Sequence, residues 1–78
     1  MSTELEIEVK CFATLAEFTP QGGRTTVAKG LLVRDVVEKL GVPSNEVKII
    51  FVNGEQADWD KAIKKNDRIG IFPAVGGG

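Results

Sequence analysis

The 78-residue sequence contains no histidine and only one cysteine, Cys11. A lone cysteine excludes a disulfide within the chain, and without histidine it argues against a zinc site built by this protein alone. No grouping of residues along the chain resembles a catalytic constellation either. The sequence therefore predicts no catalytic residues, no metal site and no bound cofactor.

The sequence also lacks an excess of charge of one sign and a long apolar run. Ten basic and eleven acidic residues leave a formal charge of −1, which gives no general attraction for nucleic acid or an anionic membrane. No stretch approaches the roughly 18 apolar residues of a membrane span, and the first residues lack a basic region followed by an apolar one. We therefore expect a cytoplasmic protein that binds neither nucleic acid nor membrane.

The amino-terminal part alternates with the period of a half-buried strand over residues 4–12. Cys11 falls on the apolar side, where a small core residue is the simplest interpretation. A helical turn is predicted over residues 12–18. A turn at residues 20–23 then leads to a second strand over residues 24–28.

One amphipathic helix is predicted over residues 32–40, where apolar residues recur along a single stripe. Gly41 and Pro43 end it, while its start offers no Ser, Thr, Asp or Asn cap. The run over residues 47–52 and the following Asn53-Gly54 predict a hairpin. In that run Ile50 and Val52 put apolar bulk on a second face, which implies either another covering layer or a partner.

The rest of the chain predicts a short strand at residues 55–57, a short helical turn at 58–63, a polar turn at 64–67 and a final strand at 68–72. This order suits an α+β fold of the β-grasp, or ubiquitin-like, type, with one main helix on one face of a mixed sheet of four to five strands. We expect the helix to cover the face that carries Ile7 and Ile71. Phe72 then lies exposed on the open face.

The last seven residues, Phe72-Pro73-Ala74-Val75-Gly76-Gly77-Gly78, join an apolar strand to three glycines. Glycine has no Cβ, so such a segment can pass through a narrow channel. Six extended residues after Phe72 reach about 20 Å, enough to carry a carboxylate into a partner's active site. We therefore expect a single domain over residues 1–72 and a flexible C-terminal tail over residues 73–78.

Several of these segments resemble the small sulfur-carrier proteins of molybdopterin and thiamine biosynthesis, the MoaD/ThiS group. The similar segments are residues 9–17, the helix at 33–41, Asn53-Gly54, the entry to the last strand at 66–69, and the end of the chain. The last resembles Phe-Pro-Pro-Val-x-Gly-Gly. Ala16 replaces a usual arginine, and Ala74 and Gly76 loosen a segment that the family form would stiffen.

The resemblance implies that an E1-like enzyme uses ATP to adenylate the Gly78 carboxylate, and that a persulfide donor then converts it to a thiocarboxylate. Val75, Gly76 and Gly77 would thread the partner's active site. The acceptor would be a molybdopterin synthase large subunit, of which this chain would be the small subunit, or a thiazole synthase. Chain length and the Phe-Pro-x-Val run favour the molybdopterin type.

A partner-binding surface is predicted at the root of the tail. Its proposed members are Ile50, Val52, Phe72 and Pro73. Two other functions remain open from the sequence. One is a ubiquitin-like modifier that forms isopeptide bonds through Gly78, and the other is a β-grasp interaction module without terminal chemistry.

Overall fold

The computed structural model describes residues 3–74, which form one mixed sheet with a single α-helix. The strands are β1 (Glu4–Cys11), β2 (Arg24–Ala28), β3 (Val47–Val52), β4 (Glu55–Gln56) and β5 (Arg68–Pro73), and the helix α1 is Val33–Leu40. Short 3₁₀ segments occupy Ala13–Phe18, Gln21–Gly23 and Ser44–Glu46. The predicted strands and helix are therefore confirmed, and no boundary differs by more than one residue.

The sheet order is β2-β1-β5-β3-β4, so the first and last strands lie side by side at its centre. β1 and β5 are parallel, whereas β1–β2, β3–β5 and β3–β4 are antiparallel. A parallel pair needs a long crossover, and here α1 lies within that connection. The predicted β-grasp architecture with a mixed sheet is confirmed.

The core lies between α1 and one face of the sheet. It also receives Leu15 from the first 3₁₀ segment. The buried apolar residues are Ile7, Val9, Cys11, Leu15, Val27, Val33, Val36, Val37, Val42, Ile50, Val52, Ile63, Ile69 and Ile71. Alternate residues of β1 and β5 point into this core, as the two-residue period predicts.

Both ends of α1 are capped by local interactions. The backbone N–H of Leu32 donates to the Asp35 carboxylate over 2.9 Å, and the Asp35 N–H donates to the Leu32 carbonyl over 2.9 Å. An acidic residue in the first turn thus replaces the N-cap side chain that the sequence lacks. At the other end Gly41 adopts a left-handed φ of 82°, which glycine does without the strain that a Cβ causes.

The strand β3 contains a one-residue bulge at Lys48. Val47 pairs with Pro73 and Ile49 pairs with Phe72, so Lys48 has no counterpart on β5. The extra residue changes the alternation and places Val47 on the core side, where it packs against the buried cluster. This bulge is the physical reason for the broken alternation in residues 47–52.

Residues 58–63 do not form the predicted helical turn beyond its first hydrogen bond. The Lys61 N–H donates to the Asp58 carbonyl over 3.1 Å, and the chain then extends so that Ala62 forms a β-bridge with Leu32. The neighbouring Val33 N–H donates to the Lys61 carbonyl over 2.9 Å. This segment is held by α1's first turn rather than by its own helical bonds.

The turn before β5 is held by a buried carboxylate. Asp67 accepts from the Asn53 amide over 2.9 Å and from the Lys64 N–H over 2.8 Å. Asn53 in turn accepts from the Arg68 N–H over 3.0 Å, while Asn53 and Gly54 adopt the positive φ values of a tight hairpin. The hairpin and the entry to β5 are thereby fastened together.

Ordered structure continues past the predicted domain boundary after Phe72. Pro73 is buried and belongs to β5, and the Ala74 N–H donates to the Glu46 carbonyl over 3.2 Å. β5 thus runs one residue past the predicted boundary, and residues 75–78 of the predicted tail lie outside the described residues. Over residues 3–74 no helix is both long and apolar enough to cross a membrane.

Candidate docking site on the open sheet face

Three aromatic side chains lie together on the sheet face opposite α1. The rings of Phe12 and Phe72 stack with centroids 4.2 Å apart and planes 4° from parallel. Phe51 meets Phe72 edge-on, with centroids 5.5 Å apart at 83°. We call Phe12, Phe51 and Phe72 the aromatic patch; all three are half-buried and so keep part of their apolar surface in water.

The parallel pairing of β1 with β5 brings the two stacked rings together. Cys11 pairs with Ile71, and the Phe12 N–H donates to the Ile71 carbonyl over 3.0 Å, so Phe12 leaves β1 beside Phe72. Phe51 arrives from β3, where it pairs with Gly70. Residues from three segments of the chain therefore converge on the end of β5.

Gly70 forms the floor between these rings. A Cβ added there would lie 3.3 Å from Cε1 of Phe72 and 3.5 Å from Cε2 of Phe12. The shallow groove above it has a volume of about 320 Å³. A residue with no side chain at this position lets the rings lie close to the backbone of β5.

Basic side chains lie beside the aromatic patch, and nearby glutamates are paired with an arginine. The Lys10 ammonium lies 5.2 Å from the centroid of the Phe12 ring, and Arg68 lines the same groove. Arg24 pairs with Glu6 at 2.7 Å and, at 3.7 Å, with Glu8, which also lines the groove. Arg24 of β2 thus partly neutralises Glu6 and Glu8, and the cations Lys10 and Arg68 flank the aromatic patch.

The structure places the predicted surface residues on different sides of the sheet. Ile50 and Val52 are only 3% and 4% exposed and belong to the core beneath α1, so the prediction that they form a partner surface is wrong. Pro73 is buried on the same side. The bulge at Lys48 explains the error. Strict alternation puts Ile50 and Val52 on the same face as Lys48, which suggests an exposed face, but the bulge takes Lys48 out of that alternation.

Phe72 is the predicted surface residue that does lie on the open face, although Phe12 and Phe51 cover part of its ring. The sequence pattern places Gly70 on the same open face as Phe72, but it does not identify Phe12 or Phe51 as neighbours of Phe72. Phe12 meets Phe72 through the register of β1 against β5, and Phe51 does so through the register of β3 against β5; no short-range pattern encodes either register. The predicted threading residues Val75, Gly76 and Gly77, and the predicted reactive Gly78, lie outside the described residues.

Cys11 is 2% exposed and lies on the core side, in agreement with its interpretation as a small core residue. Its backbone N–H donates to the Thr19 hydroxyl over 3.0 Å. Burial raises the pKa of the Cys11 thiol, and a hydrogen bond with Thr19 opposes part of that rise. A buried thiol with a raised pKa is a poor nucleophile.

The sequence matches one family model, described as Mut7-C ubiquitin, over residues 4–76. The match takes in every strand, the helix and the aromatic patch. The chain belongs to the Mut7-C ubiquitin family. This family match confirms the predicted resemblance to small ubiquitin-like carriers. A comparison with curated proteins gives no significant match.

Solved structures support the same fold. The chain is similar to molybdopterin converting factor subunit 1, as assigned in Pyrococcus furiosus, with 26% identity and a TM-score of 0.68 over 91% of this chain and 99% of that one. It is similar to small archaeal modifier protein 1 of Haloferax volcanii, with 24% identity and a TM-score of 0.69 over 91% and 99%. Urm1 from Trypanosoma brucei has 14% identity and a TM-score of 0.62 over the whole of both chains.

All three structures share the β-grasp fold of this Mut7-C ubiquitin protein. The two with identities below 25% contribute the fold alone. The P. furiosus protein adds a weak sequence similarity across almost its full length.

Proposed function

We propose that this protein is a sulfur carrier whose Gly78 carboxylate is activated and converted to a thiocarboxylate. In the first step a carboxylate oxygen attacks the α-phosphorus of ATP on an E1-like enzyme, and pyrophosphate leaves. A persulfide sulfur then attacks the acyl carbon and AMP leaves. A second thiol reduces the resulting acyl disulfide, which yields the thiocarboxylate and a disulfide between donor and reductant.

The observation that carries this proposal is the position of the aromatic patch at the root of the terminal segment. Phe72 lies in the last strand, two residues before Ala74, where the described chain ends. An enzyme that binds the patch thereby holds the start of a Val-Gly-Gly-Gly segment. Half-buried aromatic rings are typical anchors at such interfaces.

The proposed reaction requires three features of this chain: a docking face, a short terminal segment and a carboxylate. Residues 75–78 span about 13–14 Å when fully extended, a distance suited to an active site a short way from the docking face. The three glycines let that segment fit a channel that excludes side chains. The adenylating and sulfur-transferring groups would all belong to partners.

Molybdopterin biosynthesis is the pathway that we favour, with the large subunit of a molybdopterin synthase as acceptor. The Phe-Pro-x-Val run at residues 72–75 and the similarity to the P. furiosus protein support it. Thiazole synthesis for thiamine is the alternative, because a triple glycine also ends carriers of that type. Incubation of the thiocarboxylate form with each acceptor enzyme distinguishes the two by the product that gains sulfur.

A ubiquitin-like modifier is the second candidate function, because the same acyl adenylate can react with a lysine amine instead of sulfur. The fold likeness to small archaeal modifier protein 1 supports this alternative. It predicts conjugates of higher mass that depend on Gly78. An immunoblot that shows no conjugates while ATP–pyrophosphate exchange is active would count against it.

The experiment that tests the carrier function is a reconstituted assay with an E1-like enzyme, ATP and a persulfide donor. The full chain should support ATP–pyrophosphate exchange and accept sulfur, whereas deletion of Gly78, which leaves the Gly77 carboxylate about 3.5 Å short, should lower both. Glu17→Ala is a matched control, since Glu17 is exposed and lies outside both the patch and the terminal segment. Equal sulfur transfer by the Gly78 deletion and the full chain would contradict the proposal.

A further inference from the structure

Two cations lie at the same end of the aromatic patch. Lys10 precedes Phe12 on β1, and Arg68 precedes Phe72 on β5, so the parallel pairing of these strands puts both cations on one side of the rings. Both side chains line the groove above Gly70, and the Lys10 ammonium lies 5.2 Å from the centroid of the Phe12 ring. The apolar groove is therefore bordered by positive charge at one end.

These two cations are exposed, and within residues 3–74 neither of them forms an ion pair. Glu8 also lines the groove, but its carboxylate pairs with Arg24 at 3.7 Å. Arg24 holds Glu6 as well, at 2.7 Å. The donors of Lys10 and Arg68 are thus available for charge-assisted hydrogen bonds to an anion of a partner.

The rest of the groove is apolar. Its floor is Gly70, and its walls are the half-buried rings of the aromatic patch, which offer no hydrogen bonds to a partner. A partner that matches the groove supplies an apolar side chain to the rings and an anionic group to the end where Lys10 and Arg68 lie. Such an arrangement combines an aromatic anchor with electrostatic complementarity.

A nucleic acid is another anion that cations and aromatic rings bind together. Two observations favour a protein instead. Phe12 and Phe72 stack on each other at 4.2 Å, so their facing surfaces are closed to bases. Glu6 and Glu8 lie on the same open face as the cations, where they would repel a phosphate backbone that continued along the sheet. A carboxylate of a protein is a single local charge and avoids them.

We infer that the aromatic patch binds an acidic protein surface, on which an apolar side chain enters the groove and neighbouring carboxylates contact Lys10 and Arg68. This inference rests on the proposed function, because the surface it describes belongs to the E1-like enzyme. Lys10 and Arg68 are accordingly specificity-determining residues. They select the surface that this face accepts and touch no reacting atom.

The test removes both charges at the groove. Lys10→Gln combined with Arg68→Gln keeps polar side chains at these positions, so the fold should be retained. We expect the association rate constant with an E1-like enzyme, measured without ATP at about 50 mM salt, to fall roughly 5- to 10-fold. At about 500 mM salt the difference should shrink to less than about twofold, because salt screens exposed charges. A wild-type association rate at low salt would overturn the inference.

The matched control is Lys29→Gln combined with Lys39→Gln, which changes the net charge equally. Both lysines are exposed and lie outside the groove, Lys29 after β2 and Lys39 on α1. This pair should associate at close to the wild-type rate. An equal loss in both pairs would show that only the net charge matters, which overturns the inference.

Two further measurements complete the test. Urea denaturation checks the fold of the double variant, and if it is unfolded, Lys10→Gln and Arg68→Gln are measured singly, each with an expected loss of about two- to threefold. Titration with a single-stranded RNA oligonucleotide checks the other anion. RNA binding that requires Lys10 and Arg68, together with an enzyme association rate that does not, would overturn the inference.

Failure of the proposed function gives a different result. Charge-dependent association without any ATP–pyrophosphate exchange by the wild-type chain would contradict the carrier function and support the docking inference. Exchange by the wild-type chain, with association that neither salt nor the double variant changes, would contradict the docking inference alone.

Discussion

The two faces of the sheet are built from the same strands but have opposite chemistry. Along β5, Ile69 and Ile71 are buried beneath α1, whereas Gly70 and Phe72, which alternate with them, lie on the open face. One face is closed by the protein itself, and the other carries apolar rings that remain half in water. If the proposed function is right, adjacent residues of one strand serve stability and recognition separately.

The difference has a simple energetic basis. A fully buried aliphatic side chain contributes about 1.5–3 kcal/mol from removal of its surface from water. Folding removes only part of the surface of a half-buried aromatic ring from water. The rest of that surface leaves water, and stabilises a complex, only when a partner covers the ring. Substitutions on the buried face should therefore mainly lower the free energy of unfolding, whereas substitutions on the open face should mainly weaken binding to a partner.

The largest effect is expected at Ile71, which is fully buried in β5. Ile71→Ala should lower the free energy of unfolding by about 2–5 kcal/mol, because it leaves a cavity under α1. Urea denaturation measures this loss. Ile49→Ala is the control on the open face, where Ile49 is half-buried beside Phe72, and it should cost clearly less. Equal losses would show that the open face is part of the stabilising core.

The next effect is expected at Phe72 and concerns binding. Phe72→Ala should weaken binding to an E1-like enzyme by about 2 kcal/mol, as loss of a central aromatic anchor does. The free energy of unfolding should fall by less, since the ring is half-buried and its stacking on Phe12 contributes about 0.5–1.5 kcal/mol. Calorimetric titration and urea denaturation give the two values. A steep loss of stability with unchanged binding would mark Phe72 as a core residue.

A smaller effect is expected at Gly70, on the floor of the patch. Gly70→Ala places a methyl group 3.3 Å from the Phe72 ring and should tilt the stacked pair. Because rings can rotate and alanine favours strand backbone over glycine, stability should change by less than about 1 kcal/mol. Binding should weaken several-fold. The near-ultraviolet circular dichroism of the phenylalanines, compared with that of Phe72→Ala, reports the tilt, and an unchanged spectrum with unchanged affinity would argue against a tightly built patch.

The smallest effect is a pH dependence of the free energy of unfolding, which arises from Cys11 on the buried face of the sheet. Burial raises the pKa of Cys11 above its unfolded value, so the folded state disfavours the thiolate. The free energy of unfolding should therefore be constant below the ordinary thiol pKa of about 8.5 and should decline as pH rises through the higher folded-state value. Urea titrations across that range measure the slope. The same decline in Cys11→Ala would assign it to other groups.

Much of the fold follows from local patterns in the sequence. The alternation in residues 4–11, the apolar stripe before Gly41 and the Asn53-Gly54 turn each specify an element through short-range chemistry. The helix start was harder to predict, because Asp35 caps it from inside the first turn instead of from the N-cap. The segment over residues 58–63 was mistaken for helix because its partner, Leu32, is distant in sequence.

The docking face was predictable only in part. Phe72 could be placed by its alternation with Ile71, but Phe12 is 60 positions earlier and meets it only through the parallel register of β1 and β5. Ile50 and Val52 were assigned to the wrong face because a bulge is invisible in a pattern of apolar residues. Register and bulges depend on tertiary pairing, and short-range periodicity does not contain them.

Intact-protein mass spectrometry tests the central claim most directly, namely that this fold delivers Gly78 for sulfur loading. The chain should be purified without a C-terminal tag from a host that has its own E1-like enzyme and sulfur donor. We predict a population heavier by one sulfur-for-oxygen exchange, which fragmentation places at Gly78 and which Phe72→Ala reduces. Protein that stays unmodified after incubation with the enzyme, ATP and a persulfide donor would contradict the account.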